Sequence, residues 1–313
     1  MKKSDSQPWA LVLSGGGAKG LAHPGVIRGL EAAGFPKPSL VVGCSMGAIV
    51  GGLYACGMPV REIIHFVLNK FHISDYLDSF TFRIQGPMGK VFQTGQVLAS
   101  LATRPGIDTG ARVLDLLEQL TLGKHFNETE IPFRCNAVDL LDGHEIVFRT
   151  GSVAKAIRAS MSFPVFFEPY HYRGKYFVDG GLWDNMPVAV AYKEGFKKVL
   201  AVSVNEFITI KKSEITNGPQ VIYRSLESVL FSQNTKKRVP AGLTLYVADE
   251  STPLSFMRQK ELIDLGEKVV VDNMENLKAF FDAAVPSDEK VKPPAFRKKN
   301  KTTRKIKSER GEE

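Results

Sequence analysis

The chain has 313 residues, of which 43% are hydrophobic and 24% are charged, values that are ordinary for a globular protein with a substantial core. Its three cysteines are too few for a disulfide framework. Residues 290–310 carry ten Lys or Arg residues and one acid, so they account for the whole net charge of +8 and leave the rest at −1. A near-neutral body argues against a nucleic-acid-binding core, which would carry a basic patch on the fold.

Composition divides the chain into three segments. Residues 1–8 are a short polar N-terminal extension, residues 9–285 are a predicted folded domain, and residues 286–313 are a basic tail. We expect the tail to be disordered, because it has too few apolar residues to offset the entropy of ordering. No apolar stretch has the length of a signal-peptide core or of a membrane span. We therefore expect a cytoplasmic location, with a peripheral position at the inner membrane face left open.

In chain order, apolar runs alternate with amphipathic or small-residue segments, and this alternation predicts an α/β fold whose central sheet is covered by helices. Strands are predicted at Trp9–Leu13, Leu40–Val42, Phe133–Val138, Glu145–Phe148, Val165–Tyr170, Tyr176–Val178, Val199–Val204 and Leu243–Val247. Helices are predicted before Gly34 and at Met46–Cys56, Val153–Ala159, Pro187–Glu194, Val221–Ser232 and Lys260–Phe281, and Ala111–Leu120 is an amphipathic segment. The region 71–130 mixes aromatic residues and glycines, and we interpret it as a lid or cap.

A glycine-rich turn, Ser14–Gly20, links the first strand to the first helix. Consecutive glycines can point backbone N–H groups at an anion, so the turn can bind a phosphate or form an oxyanion hole. The spacing of Gly15, Gly17 and Gly20 fits G-x-G-x-x-G, but the acid that a dinucleotide site needs about 20 residues later is missing from Ser39–Gly43. A tight turn without a ligand remains a third interpretation.

The sequence Gly43-Cys44-Ser45-Met46-Gly47 fits the nucleophile elbow G-x-S-x-G, and it lies between a predicted strand and a predicted helix. No histidine occurs in the last 142 residues, so the order Ser, Asp/Glu, His of an α/β-hydrolase triad is not available. Asp179 ends a predicted strand and precedes two glycines, which makes it a candidate partner for Ser45. An Asp that only caps the turn is the competing interpretation.

Together, the glycine-rich turn, the serine elbow and Asp179-Gly180-Gly181 resemble the motifs of the bacterial patatin-like phospholipase family. The resemblance covers about residues 9–285, and further blocks support it: Ala156–Ser160 with Phe163-Pro164, Asp184–Val188 and Glu261–Gly266. It implies a three-layer α/β fold with a mostly parallel central sheet flanked by helices. It also implies hydrolysis of acyl esters of lipids or phospholipids by a Ser–Asp dyad.

The resemblance assigns roles to individual positions. Ser45 would be the nucleophile and Asp179 the general base, and we expect Asp179 to be buried so that its pKa rises toward neutrality. The oxyanion hole would be formed by Gly15, Gly16 and Gly17, with motif support from Lys19, Gly20, Gly43, Gly47, Gly180 and Gly181. Lys19 stands where many members have Arg, and Cys44 stands where Thr or a small residue is common. No cofactor and no metal is expected.

The expected partner is a lipid acyl-ester substrate. The basic segment 290–310 can contact an anionic membrane, act as a solubility tail or bind RNA without specificity; no specific nucleic acid is expected. Two other functions stay open: a non-catalytic lipid-binding protein on the same fold, and a nucleotide-binding oxidoreductase that uses Gly15–Gly20.

Overall fold

The computed structural model describes residues 7–72, 75–76, 104–164, 166–204, 209, 221, 224–225, 227–232, 239–249 and 256–284. Contacts group Met1–Ala283 into one compact unit and separate the residues from Ala284 onward. The domain limits 9–285 and 286–313 stay predictions, and the predicted disorder of the tail falls outside the described residues. Among the described helices, none is both long enough and apolar enough to cross a membrane.

The described residues form a mixed eight-stranded sheet in the order β5-β6-β3-β2-β1-β7-β8, with β4 paired to β3. Neighbours among β1, β2, β3, β7 and β8 run parallel, whereas β4, β5 and β6 join by antiparallel pairs. The strands are β1 (Trp9–Leu13), β2 (Leu40–Gly43), β3 (Phe133–Asp139), β4 (His144–Phe148), β5 (Tyr170–Tyr172), β6 (Lys175–Asp179), β7 (Lys198–Ser203) and β8 (Leu243–Tyr246).

Helices cover both faces of the sheet, which confirms the predicted three-layer α/β architecture. Along β1, Leu11 and Leu13 contribute to the larger core cluster, whereas Ala10 and Val12 contribute to the smaller cluster on the other face. This alternation follows from the two-residue period of a strand that is buried on both faces. The helices are α1 (Ala22–Ala32), α2 (Met46–Ala55), α3 (Val60–Asn69), α4 (Ala111–Leu120), α5 (Val153–Ser160), α6 (Val188–Lys193), α7 (Gln259–Asp272) and α8 (Met274–Asp282).

Strands β2 and β6 pair with successive parts of the same side of β3, and this arrangement positions the site. Cys135 pairs with Gly43 of β2 and with Phe148 of β4, so β2 and β4 lie on opposite edges. Ala137 pairs with Ile146 of β4 and with Asp179 of β6, so β6 lies on the edge that β2 has just left. The end of β6 therefore meets the turn that follows β2.

Local signals explain the ends of the first two helices. Pro24 is the third residue of α1, within the first turn, where its missing N–H disrupts no helical hydrogen bond. Gly34 follows the end of α1 with φ of 76°, and the N–H of Phe35 donates to Leu30 O at 3.1 Å. Gly57 ends α2 in the same way, with φ of 94°.

Two predicted elements differ from the structure, and two others lie partly outside the described residues. The strand expected at Val165–Tyr170 is wrong, because the antiparallel strand begins only at Tyr170. The single helix expected at Lys260–Phe281 is two helices, which meet at Asn273. Of the expected lid, residues 73–74 and 77–103 lie outside the described residues, while the amphipathic segment Ala111–Leu120 forms a helix. Of the helix expected at 221–232, residues 227–232 are described and helical.

Two glycines allow α1 and α7 to approach closely. A Cβ atom on Gly25 would lie 1.8 Å from Ile263 O, and one on Gly266 would lie 2.1 Å from Ala22 O. Both clashes are with backbone, which cannot rotate away as a side chain can. The packing of α7 against α1 therefore depends on the absence of side chains at these positions.

We expect Gly25→Ala to lower the free energy of unfolding by about 2–3 kcal/mol, because the added methyl group must push two helices apart. Chemical denaturation monitored by circular dichroism measures this loss. Gly34→Ala is the control: a Cβ there meets nothing within 4 Å, and only the left-handed φ of 76° opposes it. Equal losses in the two variants would contradict a steric origin.

Candidate active site

The three predicted motifs meet at one edge of the sheet. The glycine-rich turn follows β1 and the serine elbow follows β2, and these parallel strands end at the same edge. Asp179 reaches this edge from β6, which runs in the opposite direction along β3. The sheet topology thus brings together Cys44 and Asp179, which are 135 positions apart in the chain.

Ser45 occupies a strained backbone conformation at the start of α2. Its φ of 51° is unusual for a residue with a side chain and is typical of the turn that exposes a nucleophile. A Cβ atom on Gly43 would lie 2.4 Å from Gly47 O, and one on Gly47 would lie 2.3 Å from Leu13 O. Glycine is therefore required on both sides of the serine, as the motif predicts.

The glycine-rich turn packs directly against the elbow. A Cβ atom on Gly15 would lie 3.1 Å from Ser45 Cβ and 2.3 Å from Asn185 Oδ1. Two hydrogen bonds join Asn185 to Gly15. The backbone carbonyl oxygen of Asn185 accepts from the Gly15 N–H at 3.0 Å, and its side-chain Nδ2 donates to Gly15 O at 3.3 Å. The turn is thereby fixed beside the serine.

The residue before these glycines is equally constrained. The Ser14 hydroxyl accepts from the Val204 N–H at 3.1 Å, and the Ser14 carbonyl is hydrogen-bonded to His23 Nε2 at 2.8 Å. His23 is fully buried, and burial lowers its pKa to about 4, although the bond to Ser14 partly opposes this shift. A neutral His23 is a fixed structural partner of the turn at ordinary pH.

Asp179 is 2% exposed, which confirms the predicted burial. Its Oδ1 accepts the Gly181 N–H at 2.7 Å, and its own N–H donates to Ser162 O at 3.0 Å. The Ser45 side chain lies close enough to the carboxyl group to lower its pKa. This contact is not a hydrogen bond of ordinary geometry, and Asp179 Oδ2 has no hydrogen-bond partner among the described residues. Such contacts are often long in a free enzyme and shorten when substrate binds.

Burial raises the pKa of Asp179 to about 6. The contacts with Ser45, Gly181 and Cys44 oppose this shift, because they stabilise the ionised form. A carboxyl group with this pKa is ionised at neutral pH and still accepts a proton more readily than a solvated carboxylate does. The described partners of Asp179 include no histidine.

Cys44 makes a contact that the sequence did not reveal. Its Sγ lies 3.9 Å from Asp179 Oδ1 and 3.9 Å from Asn185 Oδ1. The side chain is fully buried, and burial raises the pKa of its thiol well above the usual value, so the thiol stays protonated and can donate. Cys44 therefore stabilises the ionised form of Asp179.

Helix α5 supports both members of the pair. The Ser160 hydroxyl accepts from the Ser45 N–H at 3.0 Å. The Ser162 carbonyl oxygen, two residues beyond the helix, accepts from the Asp179 N–H. Arg158, only 1% exposed, donates to Ser162 Oγ at 2.6 Å and to Thr109 O at 2.7 Å. A buried guanidinium group thus fixes the segment that carries both supports.

The predicted supporting residues lie in the same region. Lys19 and Gly20 belong to the short 3₁₀ helix Gly17–Leu21, in which Lys19 is buried. A Cβ atom on Gly180 would lie 2.4 Å from Asn136 O, and one on Gly181 would lie 3.0 Å from Asp179 Oδ1. Both glycines are therefore needed for the tight turn after Asp179. In the part of the chain that the structure describes, no three His, Cys, Asp or Glu side chains converge as metal ligands would.

Comparison with known proteins gives consistent matches. A family model described as patatin-like phospholipase matches residues 11–192. Lysophospholipase NTE1 of Cryptococcus neoformans is 31% identical over 202 residues, which are 63% of this chain and 11% of that protein. An uncharacterized NTE family protein of Mycobacterium tuberculosis is 31% identical over 205 residues, 66% of this chain and 51% of that protein. The chain thus spans about half of the mycobacterial relative and about a tenth of the fungal one.

Two solved structures are also similar to parts of this chain. The crystal structure of VipD from Legionella pneumophila matches with a TM-score of 0.49 and 16% identity, over 87% of this chain and 67% of that one. ExoU of Pseudomonas aeruginosa, in its complex with SpcU, matches with a TM-score of 0.42 and 20% identity, over 89% of this chain and 54% of that one.

Proposed function

This chain belongs to the patatin-like phospholipase family, and from that premise we propose that it is a serine hydrolase acting on acyl esters of lipids or phospholipids. The observation that carries the proposal is the contact between Ser45, on a strained elbow, and the buried carboxyl group of Asp179. The name of the fungal relative, lysophospholipase, makes single-chain phospholipids the first substrates to test.

In the first step, Ser45 Oγ attacks the ester carbonyl carbon while its proton passes to Asp179. The tetrahedral intermediate then collapses: the bond to the alcohol breaks, the leaving alcohol takes the proton from Asp179, and an acyl-enzyme remains on Ser45. The proposal is supported by a pKa of about 6 for Asp179, which is closer to the operating pH than that of an exposed Asp.

In the second step, Asp179 accepts a proton from water, and the resulting hydroxide attacks the acyl-enzyme. The fatty acid leaves, and the proton returns to Ser45 Oγ. In both steps we assign the negative charge on the carbonyl oxygen to the backbone N–H groups of Gly16 and Gly17. The Gly15 N–H, expected from the sequence to be a third donor, already donates to Asn185 O. Supporting this assignment, Gly15 packs against Ser45 and Asn185 fixes it there. One such donor can stabilise a transition state by about 3 kcal/mol.

A labelling experiment tests the proposal without knowledge of the natural substrate. The purified chain is treated with a fluorophosphonate probe, which reacts with activated serines, and is then assayed on phospholipid, lysophospholipid, monoglyceride and thioester substrates. Labelling at Ser45 together with turnover of an oxygen ester is expected. A folded chain that neither labels nor turns over any of these esters would instead be a non-catalytic lipid-binding protein.

The pKa of Asp179 predicts the acid limb of the pH profile. Because the base must be ionised to accept a proton, we expect kcat/KM to fall about tenfold per pH unit below about 6 and to level off above it. A soluble short-chain ester is the suitable substrate, because its chemistry does not depend on a lipid surface. An acid limb near 4, the ordinary value of an exposed carboxyl group, would exclude Asp179 as the titrating base.

The variant Cys44→Ala provides a second test of the acid limb of the pH profile. Removing the thiol donor should move the limb to higher pH, because the Cys44 contact lowers the pKa of Asp179. Cys56→Ala is the matched control, since Cys56 is also a buried cysteine but lies at the other end of α2. The acid limb of Cys56→Ala should lie at the same pH as that of the parent.

We also propose a cytoplasmic location and peripheral contact of the basic segment 290–310 with anionic lipid. Three free cysteines and the charge of this segment support the two statements. The contact should weaken steeply with salt, because it is electrostatic. Oligomeric state is not part of the proposal.

A further inference from the structure

Two adjacent leucines are exposed at the tip of the β3–β4 hairpin. Leu140 is 54% exposed and Leu141 is 70% exposed, and neither packs against the two core clusters. Tyr176, which is 45% exposed, lies beside them, because its carbonyl oxygen accepts from the Leu140 N–H at 2.7 Å. Single exposed apolar residues are common, but a contiguous group on a rigid turn is a typical contact surface.

The turn holds these leucines outward. The buried carboxylate of Asp139 accepts from the Leu141 N–H at 3.2 Å and binds Lys175, and its carbonyl oxygen accepts from the Gly143 N–H at 2.8 Å. His144 closes the turn by donating its N–H to Asp142 Oδ1 at 2.9 Å. Hydrogen bonds within the turn therefore fix its backbone, and this backbone conformation keeps the two leucine side chains exposed.

The hairpin tip lies at the same edge of the sheet as the candidate site. Cys135 of β3 pairs with Gly43, two residues before Ser45, and Leu140 follows Cys135 by five residues, or about 16 Å along the strand. The hairpin is also in contact with the segment after Asp179, since the Trp183 ring lies 6.5 Å from the His144 ring. A surface that met Leu140 and Leu141 would therefore face the reactive residues.

The charges around the tip indicate what kind of surface this is. Lys175 contacts both Asp139 and Asp142, so the two acids of the turn share one base. The tip thus offers apolar side chains without an excess of positive charge, which suits a neutral lipid surface better than an anionic one.

We propose that Leu140 and Leu141 insert into the surface of a lipid aggregate and dock the candidate site on it. The partner is a zwitterionic phospholipid surface, and the proposal rests on the proposed function for its choice of lipid over another apolar partner. The hairpin differs in kind from the basic segment 290–310, whose attraction would require anionic lipid and low salt.

Vesicle binding tests the proposal. In a Ser45→Ala background, so that lipid stays intact, co-sedimentation with phosphatidylcholine vesicles is measured at 0.5 M salt. We expect Leu140→Ser combined with Leu141→Ser to lower the partition coefficient about tenfold or more. The matched control is Leu122→Ser: Leu122 is 80% exposed but lies near Lys124, which donates to Cys56 O at the opposite edge. This control should bind as the parent does.

Further readouts separate the alternatives. In the active chain, the double variant should hydrolyse a soluble short-chain ester like the parent but lose activity on vesicles. In Leu141→Trp, the emission of the new indole should shift to the blue when vesicles are added. Vesicle binding that the double variant retains, or that Leu122→Ser loses equally, overturns the proposal. So does a parent dimer that the double variant converts to a monomer. Failure of the soluble-ester assay in every chain would instead reject the proposed function.

Discussion

Ser45→Ala is expected to lower the rate of ester hydrolysis by about 10⁴-fold or more and to abolish labelling by a fluorophosphonate. The reason is chemical: without Oγ no acyl-enzyme can form, and only the binding and polarisation of the substrate remain. Steady-state kinetics on a soluble ester and mass spectrometry of the labelled chain measure the two effects. Ser39→Ala, the same substitution just before β2 at the opposite edge, should leave both unchanged.

The backbone at Ser45 offers an internal check. Its φ of 51° costs free energy for any residue with a Cβ, so Ser45→Gly should be more stable than Ser45→Ala by about 1 kcal/mol while being equally inactive. Thermal unfolding of the two variants measures the difference. If Ser45→Ala kept more than about 1% of parental activity, another nucleophile would have to be found.

Asp179→Asn is expected to lower kcat by about 10³-fold, since a neutral amide cannot accept the proton of Ser45. The carboxyl group and the amide have the same shape, and Oδ1 can still accept from the Gly181 N–H, so the turn should survive. This outcome separates the general base from an Asp that only caps a turn, for which a loss of a few-fold would be expected. Turnover and folding must be measured on the same preparation.

The chain supplies a close control for this substitution. Asp108 is also 2% exposed, and its Oδ1 accepts from the N–H two residues later, that of Gly110, at 2.7 Å. Asp108→Asn should therefore change activity by no more than a few-fold. An equal loss in both variants would mean that the effect arises from the fold and not from the reaction.

Stability should change in the opposite direction to activity. Burial raises the pKa of Asp179 from 3.8 to about 6, so the ionised form is disfavoured in the folded state. Above about pH 6 the group is ionised in both states and destabilises the fold; below about pH 4 it is protonated in both and the penalty is absent. At pH 8 we expect Asp179→Asn to be more stable than the parent by on the order of 1–3 kcal/mol. Denaturation at pH 8 and pH 4 measures the change.

The fold was largely predictable from the sequence, because its strands are buried apolar runs and its helix ends are marked by glycines such as Gly34 and Gly57. The errors have local causes. The apolar and aromatic run from Val165 resembles a strand, yet Phe167 forms only an isolated bridge to Asp108. The break at Asn273 falls inside a continuous helical pattern and has no proline or glycine to mark it.

The site was predictable only where a motif fixes the backbone. Ser45 and Asp179 each sit in a tight turn whose glycines are visible in the sequence. The contact of Cys44 with Asp179 has no such signal, because it depends on how β6 approaches β3, and a buried cysteine is usually only a small apolar residue. The roles of Ser160 and Arg158 are hidden for the same reason: they are set by tertiary contacts.

The order in which the sheet is assembled has a consequence for synthesis. Strands β1 and β2, with the glycine-rich turn and Ser45, leave the ribosome early, whereas Asp179 arrives 134 residues later on a strand that pairs with β3. A nascent polypeptide therefore contains the proposed nucleophile, Ser45, long before it contains the proposed base, Asp179. Esterase activity should appear in ribosome-bound chains only after β6 has emerged, so an unfinished product cannot attack lipid.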